Sequence, residues 1–258
     1  MLSQQLQELS HRAGELSLAQ EFQQSLQSAA QLASQLEPYL HDCTTPESPA
    51  LESLRHRTNS ADWSQLFSSG ETVNMLESEM LSGQTQGQFL KMLVKSLGAK
   101  RVLEVGMFSG YSALAMAEAL PDDGRLIACE LDLYAAQFAQ SCFDESPAGH
   151  KIQVRVGSAL DSMNQLAADG EHFDFVYVDA NKDGYLDYYN ILLDSLLTSN
   201  GLICVDNTLM QGQPYLSEDR TEIGEAIAQF NAAVAADSRV EQVLLPIRDG
   251  VTLIRRAG

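Results

Sequence analysis

RVLEVGMFSGYS, residues 101–112, opens on an apolar run, Val102–Val105, interrupted by Glu104, and passes through a glycine turn into YSALAMAEAL, residues 111–120, at helical spacing. A strand that enters a helix this way is a βα unit of an open α/β sheet. Gly106 and Gly110 permit a tight turn and close backbone approach, and the helix start at Ser112 offers free N–H groups and a partial positive charge. The spacing is G-x-x-x-G, where dinucleotide enzymes carry G-x-G-x-x-G, and Glu104 stands two residues before the first glycine. A carboxylate there repels a diphosphate and suits a ligand bearing ammonium and sulfonium charges. The spacing therefore opposes the rival reading as a nicotinamide dehydrogenase.

Downstream the pattern repeats. RLIACE is followed by LYAAQFAQSCF, KIQVRVG by ALDSMNQLAA, FDFVYVD by YLDYYNILLDSLL, and GLICVD by a loop from Asn207 to Glu218. Strand and helix in alternation imply right-handed crossovers onto a parallel sheet. A helix from about Ile223 to Ala236 comes next, and VEQVLLPI and GVTLIRR, joined by Arg248, Asp249 and Gly250, read as a hairpin. The expected fold is a Rossmann-like, mostly parallel seven-stranded sheet with an antiparallel edge strand and helices on both faces.

Upstream, two helices are expected around Glu71–Met80 and Gly87–Leu97, and DCTTPESPA, residues 42–50, with its two prolines, marks a break. Before it lies a Gln-, Leu-, Ala- and Ser-rich stretch with Leu2, Leu6 and Leu9, then Leu32, Leu36 and Leu40, at helical spacing. Two amphipathic helices follow, able to pack on the main domain, cover its site or join a dimer interface. The organisation reads as an N-terminal helical extension over 1–69 and a catalytic domain over 70–258.

Composition narrows the function classes. The 258 residues, 45% hydrophobic, can bury a sizeable core, while a net charge of -19 disfavours nucleic acid and anionic membranes as partners. Small-molecule work fits better. Cys43, Cys129, Cys142 and Cys204 form no C-x-x-C pair, and the first twenty residues lack the basic and apolar regions of a signal peptide. No stretch approaches the ~20 apolar residues of a transmembrane span. Reduced thiols and a cytoplasmic location are the expectation.

Site residues fall at strand ends. Glu130, ending the second strand, can accept both hydroxyls of an adenosine ribose, and Ser158 and Ala159 follow the third strand where an adenine edge would reach. In order on consecutive units, these features point to an adenosyl ligand. The fourth strand ends in Asp179 and the fifth in Asp206-Asn207. One such Asp would read as a helix cap or a hydrogen-bonded strand end; two, with an amide oxygen beside them, make a hard oxygen site that suits Mg²⁺. His150 and His172 sit in loops before strands and receive no role, and Tyr185, Tyr188 and Tyr189 read chiefly as helix packing.

GQFLKML near Gly87, LEVGMFSGYS, ALPDDGRLIACE, VYVDANKDGY, GLICVDNTL and LLPIRDGVTLIRR together resemble the caffeoyl-CoA and catechol O-methyltransferase family over roughly residues 70–256. Within it the chain is most similar to the cyanobacterial O-methyltransferases of mycosporine sunscreen biosynthesis, through PYL-DCTTPES and VEQVLLPIRDG-TLIRR. The resemblance implies an S-adenosylmethionine-dependent, divalent-metal-assisted O-methyltransferase that acts on a small molecule with neighbouring oxygens. Its substrate would be desmethyl-4-deoxygadusol, methylated to 4-deoxygadusol; aromatic vicinal diols of the catechol and caffeoyl type are the alternative. It further implies Asp179, Asp206 and Asn207 as metal ligands, Lys182 as base, Ser82, Glu104, Gly106, Ser112, Glu130 and Ala159 as cofactor contacts, and a homodimer. Asp179 counts as catalytic with Lys182 and, standing beside the donor, as a cofactor contact too. Two departures stand out. Asn181 replaces the second Asp of the usual D-A-D-K, removing a charge near cofactor and metal, and Met210 stands where plant caffeoyl-CoA enzymes usually carry Trp, leaving no aromatic platform for a phenyl ring. A non-catalytic adenosyl-binding partner protein is the rival of another class, to which Asn181 gives some room.

Overall fold

The computed structural model describes residues 2–15, 20–216 and 220–258; the Glu218 end of the expected loop lies outside them. The chain forms two compact units, Met1–Pro46 and Glu47–Gly258. That division falls inside the proline-containing break, upstream of the 69/70 boundary read from the sequence.

The first unit is a pair of helices, α1 (Leu2–Glu15) and α2 (Gln20–Asp42), packed on each other. Ala13 and Ala30 are buried, and the Gln23 amide donates to the Ala13 carbonyl at 2.9 Å. Leu9, Phe22, Leu32, Leu36, Tyr39 and Leu40 are exposed. Both expected helices are present.

The second unit opens with α3 (Pro49–Ser60) and α4 (Trp63–Ser68). Ser48 caps α3 by accepting from Leu51 N, and Pro49 supplies the first helical φ. The helix expected over Glu71–Met80 does not form: the segment is bends followed by a single 3₁₀ turn, Ser78–Met80. One tertiary bond and one local turn bond override its helical propensity. Asp132 takes the Val73 N–H at 2.7 Å, and the Thr72 hydroxyl bonds the Asn74 carbonyl. The next expected helix is α5 (Gly83–Leu97), ended by Gly98 in the left-handed conformation.

From there the alternation holds. β1 (Arg101–Val105), α6 (Tyr111–Ala117), β2 (Arg125–Glu130), α7 (Leu133–Asp144), β3 (Ile152–Val156) and α8 (Ala159–Ala168) are followed by β4 (Phe173–Val178), α9 (Tyr185–Ile191), β5 (Leu197–Asp206) and α10 (Glu222–Ala236). The chain closes with β6 (Val240–Leu245) and β7 (Val251–Arg256). The sheet order is β3-β2-β1-β4-β5-β7-β6, parallel throughout except β7, which runs against both neighbours. The order reverses between β1 and β4, the switch point where open α/β sheets bind ligands at the carboxyl ends of their strands.

Strand alternation divides the core in two. Val102, Leu126, Ala128, Phe175, Tyr177 and Cys204 pack on the α5–α6–α7 side. Leu103, Val105, Ile127, Val176, Val178, Ile203 and Val205 pack beneath α8, α9 and α10. The same parity sets Glu104 beside Tyr177 and Tyr177 beside Cys204 on the first face, with Asp206 two residues beyond. The charged and hydroxylated ends of three neighbouring strands thus converge under α5.

Candidate functional site

Gly106 carries β1 out of the sheet at φ +89°, and its amide still donates to Cys129 O at 3.1 Å. It lies directly against the end of β4, whose Asp179 N–H donates back to Val105 O at 2.8 Å. Gly110, also at φ +89°, faces the Phe143 ring. Phe108 between them is left-handed too, and Trp63 of α4 packs against it at a 56° tilt with ring centroids 4.9 Å apart. The turn is therefore pinned from both sides before any ligand arrives.

Glu104 is fully buried, and neither carboxylate oxygen has a hydrogen-bond partner among the described residues. Burial pushes its pKa well above the usual carboxylate range; the nearby Ser112 hydroxyl opposes this, and the charges of Asp179 and Glu130 add to it. A buried acid without partners is costly, so a cationic ligand rich in N–H groups has a ready place beside it. Ser112 is buried in the first turn of α6.

Glu130 accepts from Met107 N at 3.2 Å and Phe108 N at 2.6 Å through one oxygen, and from Asp132 N at 2.8 Å through the other. Burial raises its pKa in spite of these three donors. Its carboxylate braces the glycine turn and keeps one lone-pair direction, on Oε1, for a ribose hydroxyl. One strand further out, Gly157 N donates to Glu130 O at 2.8 Å. There Ser158 caps α8 through Asp161 N, at 3.3 Å, and Ala159 begins the helix. The Ser158 hydroxyl is thus engaged as a cap.

On the other side of the switch point Asp179 accepts from Lys182 Nζ at 2.7 Å, and that ammonium lies 5.1 Å from the centre of the Tyr185 ring. Asp206 is buried at 4% exposure. Its Oδ2 accepts from Gln86 Nε2 at 2.6 Å and Tyr177 Oη at 2.8 Å, and its Oδ1 from Asn207 N at 2.8 Å. Burial and the charge of Asp179 push its pKa up to about 6 against these hydrogen bonds. Asn207 takes φ +57° and turns the chain at the strand end. Two carboxylates whose charges oppose each other, with an amide adjoining, form a donor set of hard oxygens that a divalent cation would neutralise. No group of three His, Cys, Asp or Glu side chains placed to hold a metal occurs among the described residues, so the candidate site rests on two acids and one amide.

Each of the two departures has structural partners of its own. Asn181 accepts a short hydrogen bond from the Tyr188 hydroxyl and donates to Asp183 at 2.7 Å. It is a loop brace on the surface; an Asp here could not donate to Asp183. Met210, at φ +37°, packs against the apolar cluster beneath α9 and α10. Of the tyrosines, Tyr185 and Tyr189 pack edge-on to Phe230, as expected, while the Tyr185 hydroxyl also donates to Asp206 O at 3.1 Å.

Gln86, Tyr177, Arg248 and Asp249 also stand at the site, although strand pattern and motif spacing do not place them there. Arg248 Nη1 donates to Leu81 O at 2.8 Å, to Ser82 O at shorter range, and to Gln86 Oε1 at 3.2 Å. Asp249 takes the Gln211 N–H at 2.6 Å. Gln86 had a readable signal, being a polar residue on the buried stripe of α5 that also carries Leu90 and Val94. All four cysteines are free thiols, Cys43 exposed and the others buried. No described helix is long and apolar enough to cross a membrane.

Known proteins resemble this chain in sequence and in fold. The profile of the O-methyltransferase family matches residues 44–257. Caffeoyl-CoA O-methyltransferase 2 of Zea mays is 44% identical over 186 residues, 69% of this chain and 70% of that protein. Caffeoyl-CoA O-methyltransferase of Petroselinum crispum is 37% identical over 219 residues, 81% and 85% of the two chains. Among solved structures, a Podospora anserina methyltransferase with SAH bound superposes with a TM-score of 0.75 at 27% identity, over 88% of this chain and 96% of that one. The O-methyltransferase of tomaymycin synthesis from Streptomyces achromogenes, in complex with SAM, gives a TM-score of 0.72 at 28% identity over 85% and 95%. The chain belongs to the O-methyltransferase family, S-adenosylmethionine-dependent enzymes that count the caffeoyl-CoA O-methyltransferases among their members.

Proposed function

We propose that this enzyme moves the methyl group of S-adenosylmethionine to a hydroxyl that has a second oxygen beside it, at a site holding a divalent cation. One observation carries the reading. The unpartnered carboxylate of Glu104 stands in the same crevice as Asp179, whose charge in turn raises the pKa of Asp206. The first calls for a cationic, N–H-bearing ligand, the second for a hard cation. Asp179, Asp206 and Asn207 would hold that cation, Mg²⁺ by the chemistry of the donors. When bound, it would lower the pKa of the attacking hydroxyl and fix both acceptor oxygens.

The chain's own residues then do the following. Glu104 and Glu130 would hold the donor's ammonium and ribose ends. The acceptor oxygen attacks the methyl carbon in line, the C–S bond breaks, and its electron pair stays on sulfur to leave S-adenosylhomocysteine. Lys182, steered by Asp179, is the group placed to take the hydroxyl proton at Nζ.

We infer that the acceptor is the cyclohexenone enol desmethyl-4-deoxygadusol and the product 4-deoxygadusol. In support stand the whole-chain likeness carried by residues 38–48 and 240–256 and a non-aromatic residue at Met210. A homodimer is part of the same reading. The test is incubation with S-adenosylmethionine, Mg²⁺, sedoheptulose-7-phosphate and the partner cyclase, with the product weighed for one added methyl. Methylation of caffeoyl-CoA or catechol with the enol untouched would replace this acceptor by an aromatic diol, and full turnover in excess EDTA would remove the cation.

A further inference from the structure

Gln86 bridges two parts of the molecule through a single amide. Its Nε2 donates to Tyr177 Oη at 2.9 Å and Asp206 Oδ2 at 2.6 Å, and Tyr177 Oη donates to the same Oδ2 at 2.8 Å. Two donors occupy both lone-pair directions of Oδ2, so Oδ1 is the oxygen with capacity left. An amide can sit either way round, and reversed it would press its carbonyl oxygen against the carboxylate. Arg248 prevents this by donating to Gln86 Oε1 at 3.2 Å.

Arg248 is itself held in place. It occupies φ +49° in the turn between β6 and β7, and that turn is fastened to the segment after Asn207. Thr208 N donates to Gly250 O at 3.0 Å, Leu209 N to Asp249 O at 2.9 Å, and Gln211 N to Asp249 Oδ1 at 2.6 Å. The same Nη1 also reaches the carbonyls of Leu81 and Ser82.

We propose that Gln86 and Arg248 are positioning residues: Arg248 orients the Gln86 amide, Gln86 and Tyr177 commit Asp206 to face the cation through Oδ1, and Arg248 holds Ser82 at the donor's edge. The cation half rests on the metal site argued above, and the Ser82 half on the reading of Ser82 as a donor contact. Outer hydrogen-bond partners of metal ligands typically govern affinity by about 10–100-fold.

The experiment titrates Mn²⁺ and, separately, S-adenosylhomocysteine into wild type, Gln86→Met, Arg248→Ala and Arg248→Lys, with thermal midpoints recorded for each. Gln86→Met, which fills the same volume, should weaken Mn²⁺ about tenfold or more and leave S-adenosylhomocysteine within about twofold. Arg248→Ala, on an exposed turn and so a second route to the same readout, should weaken both, and Arg248→Lys should recover part of each loss. Unchanged Mn²⁺ affinity in Gln86→Met and Arg248→Ala, in a wild type that binds the ion, overturns the cation half. Unchanged S-adenosylhomocysteine affinity in Arg248→Ala overturns the Ser82 half. A wild type that binds no Mn²⁺ removes the metal site and the cation half with it, while the Ser82 half is still decided by S-adenosylhomocysteine.

Discussion

A methyl group built on Gly106 would lie 2.2 Å from the carbonyl oxygen of Asp179, so the turn leaving β1 and the residue ending β4 share one closed seam. Gly106→Ala meets two obstacles there, the clash with backbone that cannot swing aside and a φ of +89° that L side chains rarely adopt. The expected cost is about 2 kcal/mol or more. Any relief must push Asp179 away from β1, so a melting curve should show a clear loss of stability, and calorimetry a loss of S-adenosylhomocysteine binding. A variant that melts and binds like wild type would show that the seam can open freely.

Glu104 makes a prediction with a definite sign. Burial raises its pKa well above the usual 4.5, so the folded protein keeps this proton at pH values where the unfolded chain has lost it. Its contribution to stability is therefore present below about pH 4.5 and is lost as pH rises through the folded-state value. Glu104→Gln removes that loss. The variant without ligand should melt above wild type by a margin that widens from pH 4.5 upward. It should also bind S-adenosylhomocysteine about tenfold or more weakly, the loss of a hydrogen bond to a charged acceptor. A constant margin across pH would mean that Glu104 is not the titrating group.

Legibility in the sequence followed the distance over which each feature is decided. The turn from Glu104 to Ser112 is local, and parity along β4 and β5 carries Asp179 and Asp206 to the sheet's edge, so these residues could be read from strand pattern alone. Gln86 was readable only as a polar residue on a helix's buried stripe. Arg248 had no signal, because its partners at Leu81, Ser82 and Gln86 are 167, 166 and 162 residues away and meet it through a left-handed turn. The segment Glu71–Met80 read as a helix because its residues favour one. Its actual course is set by Asp132, 59 residues on from Val73.

Asp206 should tie cation binding to pH. Its pKa of about 6 in the protein without metal means that a bound proton competes with the ion below that value. Mn²⁺ affinity should be nearly level above pH 7 and fall by about tenfold per unit below pH 6. Asp206→Ala should abolish cation binding and methyl transfer and leave S-adenosylhomocysteine affinity nearly unchanged, since that ligand is held by Glu104 and Glu130. Full transfer by Asp206→Ala would end the metal reading.

Lys182 separates proton transfer from donor binding. Its ammonium is held between Asp179 Oδ1, at 2.7 Å, and the face of Tyr185, at 5.1 Å from the ring centre, and its side chain is largely buried. That placement costs side-chain freedom and is hard to explain by surface solvation alone. Lys182→Met keeps the length and apolar stem but removes the group that accepts the proton. The kcat should fall by about a hundredfold or more, within the usual 10²–10⁴ range for a general base, while S-adenosylhomocysteine affinity changes little. Lys182→Arg keeps the charge beside Asp179 yet does not lose its own proton at neutral pH, so it should stay as slow as Lys182→Met. If Lys182→Arg instead recovers most of the rate, the residue acts through its charge, and the hydroxyl proton leaves by another route.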